Sequence, residues 1–551
     1  MFFRVVKRKY GADHYDYLCL VESYRDQGKP RQRLLHSFGN IDRIPDHKRQ
    51  QLVDSLQRAL GLQQPRSQNL SALDALDFGN LLALRKLWEQ LKLPATIRHL
   101  TRDRKADFDV ELLTFLMVAH RLIDPASKLA LTRWLPNAYL EGYDLEAVQV
   151  QHFYRSLDIL DNIARDIEAA LFLELCQLFD RELSLVFYDL TSTYFEGDGP
   201  TDAAYGYSRD RRPDQKQIVI ALAVDRRGLP ISHLTFPGNC ADSKTLAEAV
   251  ADLQDRFNIT RTIFVADGGL MTDANIESLT GSGYQHLIAL PKARVRAHEL
   301  ARDIEWTVDD AIGENVMARA VTCAEAPGLK YLVCYNPERA EQAAQIRDER
   351  IRKATKALED LQRQVAAGSL KDHHKIIAAA SAKLAKLRAK RYFTLDAAGD
   401  GQFEFHLRDD EVTKQAALDG YYFLQTDAPD LDALQILEAY KTLQRVERAF
   451  RGLKDTIKLR PIRHYDDARV RGHVFVCMLS YLLGRTLELQ LEDAGHPLSV
   501  ETAMEALEPV RVVRNELNGR VMHCVVQRRP PQADAILRAL GLTPLPVVLD
   551  N

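Results

Sequence analysis

The hydrophobic rhythm of the chain changes at residue 183, and this change limits what it can fold into. From 183 to 292 the apolar residues gather into runs too short for helices, broken by two stretches of helical period. LSLVFYDL (183–190), KQIVIALAVD (216–225) and PISHLTF (230–236) read as strands with few separators between them, which predicts an antiparallel meander. A helix follows, with Asp242 or Ser243 as its N-cap and TLAEAVADLQDRF as its body. Strand TIFVAD (262–267), a helix near 272–280 and strand YQHLIAL (284–290) complete the series. The order β-β-β-α-β-α-β predicts an α/β fold, with a mixed sheet and helices packed on its faces.

The flanks are read from the same periodicities. Residues 1–43 look like a small β unit, in which YDYLCLVESYR and RQRLLHSFG flank the turn-forming DQGKP. This unit carries nine basic and five acidic residues. Residues 44–180 read as a helical region, with its strongest helix at 110–123 ended by Pro125, and are a candidate DNA-binding part. Residues 181–292 form the first part of the core, and 421–490 the second: strand YYFLQTD, a helix over 431–457 and another over 466–490. Between them, 293–420 reads as an insertion. Within it Ile351, Ala354, Leu358, Leu361 and Val365 recur at 3,4,3,4 spacing, a heptad seam. Gly368 permits a turn, and Ile377, Ala380, Leu384 and Leu387 continue on a second helix, so an antiparallel helical hairpin is expected with a structural rather than a catalytic role. The tail, 491–551, reads as helical and Pro-punctuated.

Composition narrows the class. The 551 residues are 46% hydrophobic and 27% charged, an ordinary globular balance that excludes a disordered or collagen-like chain. The net charge of −3 argues against a uniformly basic nucleic-acid coat but leaves local patches open. Seven scattered cysteines with no CxxC pair argue against a disulfide framework or zinc ribbon. The longest apolar runs fall short of the roughly 20 residues a membrane helix needs. A cytoplasmic protein with no membrane partner is expected.

Four features could carry chemistry. Asp189 continues the apolar face of Leu183, Leu185 and Phe187, where an acid is costly unless it is paired or binds a cation. Asp267 ends the apolar strand IFVAD before two glycines, at the kind of strand end where ligands collect. Glu447 lies on the shoulder of a buried stripe made by Leu443, Val446, Phe450, Leu453 and Ile457. Tyr440, Glu447 and Lys454 are seven apart each time, so one helix would place them in a row, with Arg448 and Arg451 close by. Finally, residues 441–475 hold ten Lys or Arg, Arg460 among them, against four acids: a net +6 suited to phosphate backbones. Each feature alone has a plainer explanation: a solvated strand-end Asp, an Asx turn, an exposed Glu–Arg pair, a solvated basic face. Together, three carboxylates beside a basic stripe are what metal-assisted phosphoryl transfer requires, and hard oxygen ligands suit Mg²⁺.

The segments FYDLTSTYFEG, GLPISHLTFPGNCADSKTL, FVADGGLMTDANIESL and YKTLQRVERAFRGLKDTIKLRPIRH, in that order, resemble those of bacterial insertion-sequence transposases of the DDE type. More narrowly, they resemble the group whose third acid lies in a Tyr–Arg–Glu–Lys pattern. The N-terminal LVESYRDQGKPRQRLLHSFGNID also looks like that of the group. The resemblance implies a ribonuclease-H-like core with Asp189, Asp267 and Glu447 as the metal-binding catalytic triad. It implies two Mg²⁺ ions, with Mn²⁺ as a substitute. Tyr440 and Lys454 fall at the group's Tyr and Lys positions, whereas its Arg position is Leu443. The implied partners are double-stranded DNA, as terminal inverted repeats and as target, and a second copy in a homodimer. Lys454, Arg448, Arg451 and Arg460 would hold phosphates, and Tyr440 would meet the terminal bases. The implied location is the cytoplasm, at the nucleoid. Two other readings stay open: a related nuclease that cuts without strand transfer, and a catalytically silent DNA-binding protein.

Overall fold

The computed structural model describes the chain apart from residues 11–12, 44, 62–69, 179–184, 260–261, 268–269, 271, 293–303, 313–314, 324–325, 398–401, 518–519 and 550–551. It divides into two units, 1–74 with 514–523 and 75–513 with 524–551.

The first unit contains an antiparallel sheet of β1 (Phe2–Tyr10), β2 (Asp13–Asp26) and β3 (Lys29–Asn40), followed by α1 (Asp46–Ala59). The expected hairpin is present, and its two turn residues Gln27 and Gly28 both have positive φ, +47° and +77°. That is the twist a two-residue hairpin loop needs to match its strands. The strand β1 was not foreseen. Its partner is β2, with Phe2 opposite Val21 and Tyr10 opposite Asp13.

Strand β4 (Leu70–Asp77) spans the division between the units. In the second unit come α2 (Gly79–Gln90), α3 (Leu93–Thr101), α4 (Val110–Ile123), α5 (Lys128–Trp134) and α6 (Val150–Leu178). The helix expected at 110–123 begins where Asp109 accepts from the Leu112 amide at 3.0 Å, and it is buried nearly all round. Its one buried acid, Glu111, accepts from Arg85, Trp88 and Arg98, which removes the cost of placing a carboxylate there.

The main sheet follows: β5 (Leu185–Tyr194), β6 (Gln217–Val224), β7 (Pro230–Pro237), β8 (Ile263–Asp267), β9 (Gln285–Leu290), β10 (Met317–Thr322), β11 (Lys330–Tyr335), and, after the two-stranded arm sheet of β12 (Phe393–Asp396) and β13 (Glu404–Leu407), β14 (Tyr421–Thr426). Its eight strands lie in the order β10-β11-β14-β9-β8-β5-β6-β7. The meander β5-β6-β7 is antiparallel, as expected, and β5-β8-β9 are parallel. Counted from β5, the first five strands lie in the order 3-2-1-4-5, which is the ribonuclease-H-like core. Period-two alternation assigns the two faces. Val186, Tyr188, Phe264 and Ala266 pack with Leu246 and Leu253 of α7 (Asp242–Phe257) and Leu279 of α8 (Asp273–Gly281). Phe187, Ile220, Leu222, Val265 and Leu287 join the larger core on the other face. Helix α7 starts one residue earlier than capping by Asp242 would require. Ala241 is its cap residue, and Asp242 instead accepts from Arg209 at 2.6 Å.

Strands β10 and β11 arise from the 293–420 segment yet belong to this sheet, because Leu332 and Cys334 are apolar enough to continue the larger core. The same segment then forms the expected hairpin of α9 (Pro337–Ala366) and α10 (His373–Lys386). Ala354, Leu358, Leu361 and Val365 are buried against Ile376, Ala380 and Leu384. Gly368 takes the left-handed conformation at the bend, φ +75°. After α11 (Asp409–Ala416) and β14 come α12 (Ala433–Arg451) and α13 (Asp467–Asp493). Helix α13 is long and apolar enough to cross a membrane, but 78% of its apolar window is buried within the protein. The tail departs from the helical expectation. Besides helices it contains strands Arg511–Leu517 and Arg520–Val525, which flank Asn518–Gly519, a hairpin signal that outweighs the helical pattern.

Candidate active site and its cationic surroundings

Strand β5 is longer than its apolar run. It continues through Thr191, Ser192 and Thr193, all buried, so Asp189 lies mid-strand rather than at the strand end. The hydroxyl side chains extend the strand because β-branched and small polar residues fit a pleated surface once paired. Asp189, half-buried, is opposite Leu222 of β6, and β8 pairs with the same strand just before it, over Leu185–Phe187. Its Oδ1 accepts from the Leu190 amide at 2.8 Å.

The parallel pairing of β5 with β8 matches Leu185 with Ile263, Val186 with Phe264 and Phe187 with Val265. Continued two steps, this register brings position 267 level with position 189. Asp267 is the last residue of β8. Helix α12 packs across β5, β8 and β9, seated by Ile436, Leu437, Ala439 and Leu443, all in the larger core. Glu447 belongs to the C-terminal half of this helix. The side chains of Asp267, Glu447, Arg448 and Arg451 lie outside the described residues. Among the described residues no three His, Cys, Asp or Glu side chains cluster as a metal site. The candidate donors are three carboxylates with no thiol or imidazole, a set that fits a hard divalent ion.

Beyond Arg451 the helix widens into a π turn over Gly452–Thr456, with the Ile457 amide donating to the Gly452 carbonyl at 2.9 Å. This adds a residue to the turn, so the seven-residue row expected for Tyr440, Glu447 and Lys454 is broken before Lys454. Lys454 turns inward instead. It donates to Asp210 Oδ1 at 2.7 Å, and Arg460 reaches the same oxygen. The side chains of Lys454 and Asp210 are only 10% and 3% exposed. Burial pushes the Lys454 ammonium below its usual range, against the pull of Asp210. Arg460 also holds Asp455 at 2.8 Å. Both residues were expected at DNA phosphates; here their partners are protein carboxylates.

Asp210 escaped the sequence reading. It lies in YSRDRRPD, between β5 and β6, where a run of mixed charge looks like a solvated loop. The same loop places Arg209 on Asp242, and its amide on the Ser192 hydroxyl at 3.1 Å, tying the loop to the middle of the site. Tyr440, expected at the terminal bases, stacks on Tyr422 of β14 with centroids 5.6 Å apart. The rest of the basic stripe is also largely matched. Arg463 pairs with Glu196 at 2.8 Å, Arg469 with Asp158 at 3.0 Å and Arg471 with Asp161 at 2.7 Å.

A family profile described as a transposase DDE domain matches residues 181–483, and another described as the IS1634 family transposase N-terminal domain matches 3–66. No curated protein matches. The cryo-EM structure of a piggyBac transposase synaptic complex with hairpin DNA is similar at a TM-score of 0.37 and 10% identity, over 78% of this chain and 79% of that one.

Proposed function

The chain belongs to the transposases with a DDE domain, and from that premise we propose how its residues divide the work. It is a DNA transposase, dependent on divalent metal, that cleaves at transposon ends and transfers the exposed strand into target DNA. Asp189, Asp267 and Glu447 form the catalytic triad and would hold two Mg²⁺ ions, with Mn²⁺ able to substitute. When bound, the metal supplies Lewis acidity to the attacking and leaving oxygens of the phosphodiester. The protein supplies rigidity. Asp189 sits on a strand paired on both sides, and α12 is seated on that strand and its parallel neighbours, so the donors are carried by elements that cannot easily shift.

Tyr440, Glu447 and Lys454 occupy the Tyr, Glu and Lys positions of the narrower group, with Leu443 in place of its Arg. Leu443 is buried in the core and does no arginine's work. Arg448 and Arg451 hold DNA phosphates beside the triad. Lys454 and Arg460 do so once DNA phosphate competes with Asp210 for them. The protein reads its terminal inverted repeats through 44–180, works as a homodimer, and acts in the cytoplasm on nucleoid DNA. The observation that supports the reading is the parallel pairing of β5 with β8, recorded up to Phe187 and Val265, two residues short of 189 and 267, with the helix that carries Glu447 packed on both strands.

The test is incubation of the full chain with its terminal repeat DNA and Mg²⁺. Wild type is expected to nick the ends and join them to target. Asp189→Asn and Glu447→Ala are expected to lose about 10³-fold or more, the scale of several kcal/mol of charge stabilisation. A wild type that neither nicks nor joins rejects the assignment, and one that nicks without joining marks a nuclease.

A further inference from the structure

One cavity lies outside the triad and was not foreseen in the sequence. It has a volume of ≈ 680 Å³, and the end of α4, the start of α5, Tyr154 of α6 and the 458–473 segment line it. Its lining is strongly cationic: Arg121, Lys128, Lys458, Arg460, Arg463 and Arg469 face a single acid, Asp466. That acid is already used, since it caps α13 by accepting from the Arg469 amide at 3.2 Å.

The cations fall into two sets. At one side Arg460, Arg463 and Arg469 are matched by Asp210, Glu196 and Asp158. Deeper, Arg121 is 7% exposed and, among the described residues, donates only to the carbonyls of Ile457 and Lys458. Lys128 is 5% exposed and has no hydrogen-bond or ion-pair partner among the described residues. The Nδ1 of buried His473, also in the lining, makes no hydrogen bond. A buried ammonium beside a buried guanidinium, with no anion to match, costs several kcal/mol of desolvation and repulsion. Such an arrangement persists where an anion from outside completes it. Consistent with this, burial and Arg121 push the Lys128 ammonium down to about 7, and burial, reinforced by Lys128 and Arg121, holds His464 at about 4.

We propose that this cavity is a phosphate-binding site, in which Lys128, Arg121 and Lys458 take a phosphate group of a DNA strand. A phosphate fits because its several oxygens can accept from an ammonium and a guanidinium together. Tyr154, carrying Arg469 at 5.7 Å over its ring, offers an aromatic wall for the sugar or base attached to that phosphate. The identity of the strand as DNA rests on the transposase reading; the anion site itself does not.

The probe is inorganic phosphate, read by thermal unfolding of the full chain at fixed ionic strength, with Lys128→Met and Lys458→Gln beside wild type. Millimolar phosphate is expected to raise the wild-type Tm, to raise that of Lys458→Gln less, and to leave Lys128→Met unmoved. Lys128→Met should itself unfold at a higher temperature than wild type without phosphate, which separates loss of the site from loss of the fold. DNA is the second arm. Lys128→Met is expected to bind repeat DNA about tenfold more weakly, with a salt slope smaller by about 1. No phosphate response in wild type, or an equal one in Lys128→Met, overturns the site. A Lys128-dependent phosphate response with unchanged DNA affinity and salt slope overturns the DNA assignment and leaves a site for free phosphate. A wild type that binds phosphate through Lys128 yet cleaves no ends leaves the site standing and rejects the transposase reading instead.

Discussion

Two cationic regions border the same basic stretch and end in opposite states. Around Asp210, the nearly buried Lys454 and the partly exposed Arg460 share one buried carboxylate. In the cavity lined by α4 and α5, Arg121 and Lys128 are buried with no carboxylate paired to either among the described residues. The first region is a closed account of charge, in which removing either sign leaves the other stranded. The second holds buried cations that no carboxylate meets, and gains if one of them is removed. A count of charges along the chain cannot separate them, because their partners come from positions more than 200 residues away.

The largest effect that could break this contrast is at Asp210. Asp210→Ala strands the Lys454 ammonium and leaves Arg460 with Asp455 alone, and is expected to destabilise the protein by about 3–5 kcal/mol. Chemical denaturation of the two proteins measures it, and a cost below 1 kcal/mol would place the two regions in one class. In the other direction, Lys128→Met is expected to stabilise the phosphate-free protein by about 1–4 kcal/mol in the same experiment. Destabilisation there would mean that Lys128 has a partner.

A pH series sharpens the contrast. The Lys128 ammonium is pushed down to about 7 from an ordinary 10.5, so between those values the unfolded chain binds the proton that the folded one has released. Stability therefore rises with pH across that window, and the penalty is fully present below it. The stability gap between wild type and Lys128→Met should accordingly narrow from pH 7 towards pH 10. A gap that stays constant across the window contradicts the depressed value. The smallest effect is expected at Arg471, whose pair with Asp161 leaves the guanidinium 40% exposed. Arg471→Ala should cost under about 1 kcal/mol, with a value above 2 kcal/mol showing that rim pairs matter as much as the buried one.

Much of the architecture was legible in the sequence. The runs LVFYDL, IVIALAV and IFVAD are strands because they are apolar, short and β-branched, and they alternate between two cores as period two demands. The heptad positions 354, 358, 361 and 365 are buried in the arm because a 3,4 repeat keeps one seam facing its partner. What escaped has a common cause. The strand β5 runs on through Thr191 to Thr193 because hydroxyls are tolerated once neighbouring strands pair, which propensity does not register. The π turn at Gly452 moved Lys454 out of a row that helical arithmetic had drawn through it. Asp210 looked like one charge in a loop of charges.

By itself, then, the sequence determined the strands, the helices and the three acids on which the phosphoryl-transfer reading rests, because hydrophobic period and residue chemistry are local properties. Tertiary structure alone decided that β5 and β8 run parallel in register, which cations meet a carboxylate and which do not. Those outcomes depend on how segments far apart in the chain share a small, poorly solvated volume, where one missing partner changes the sign of a charge's contribution.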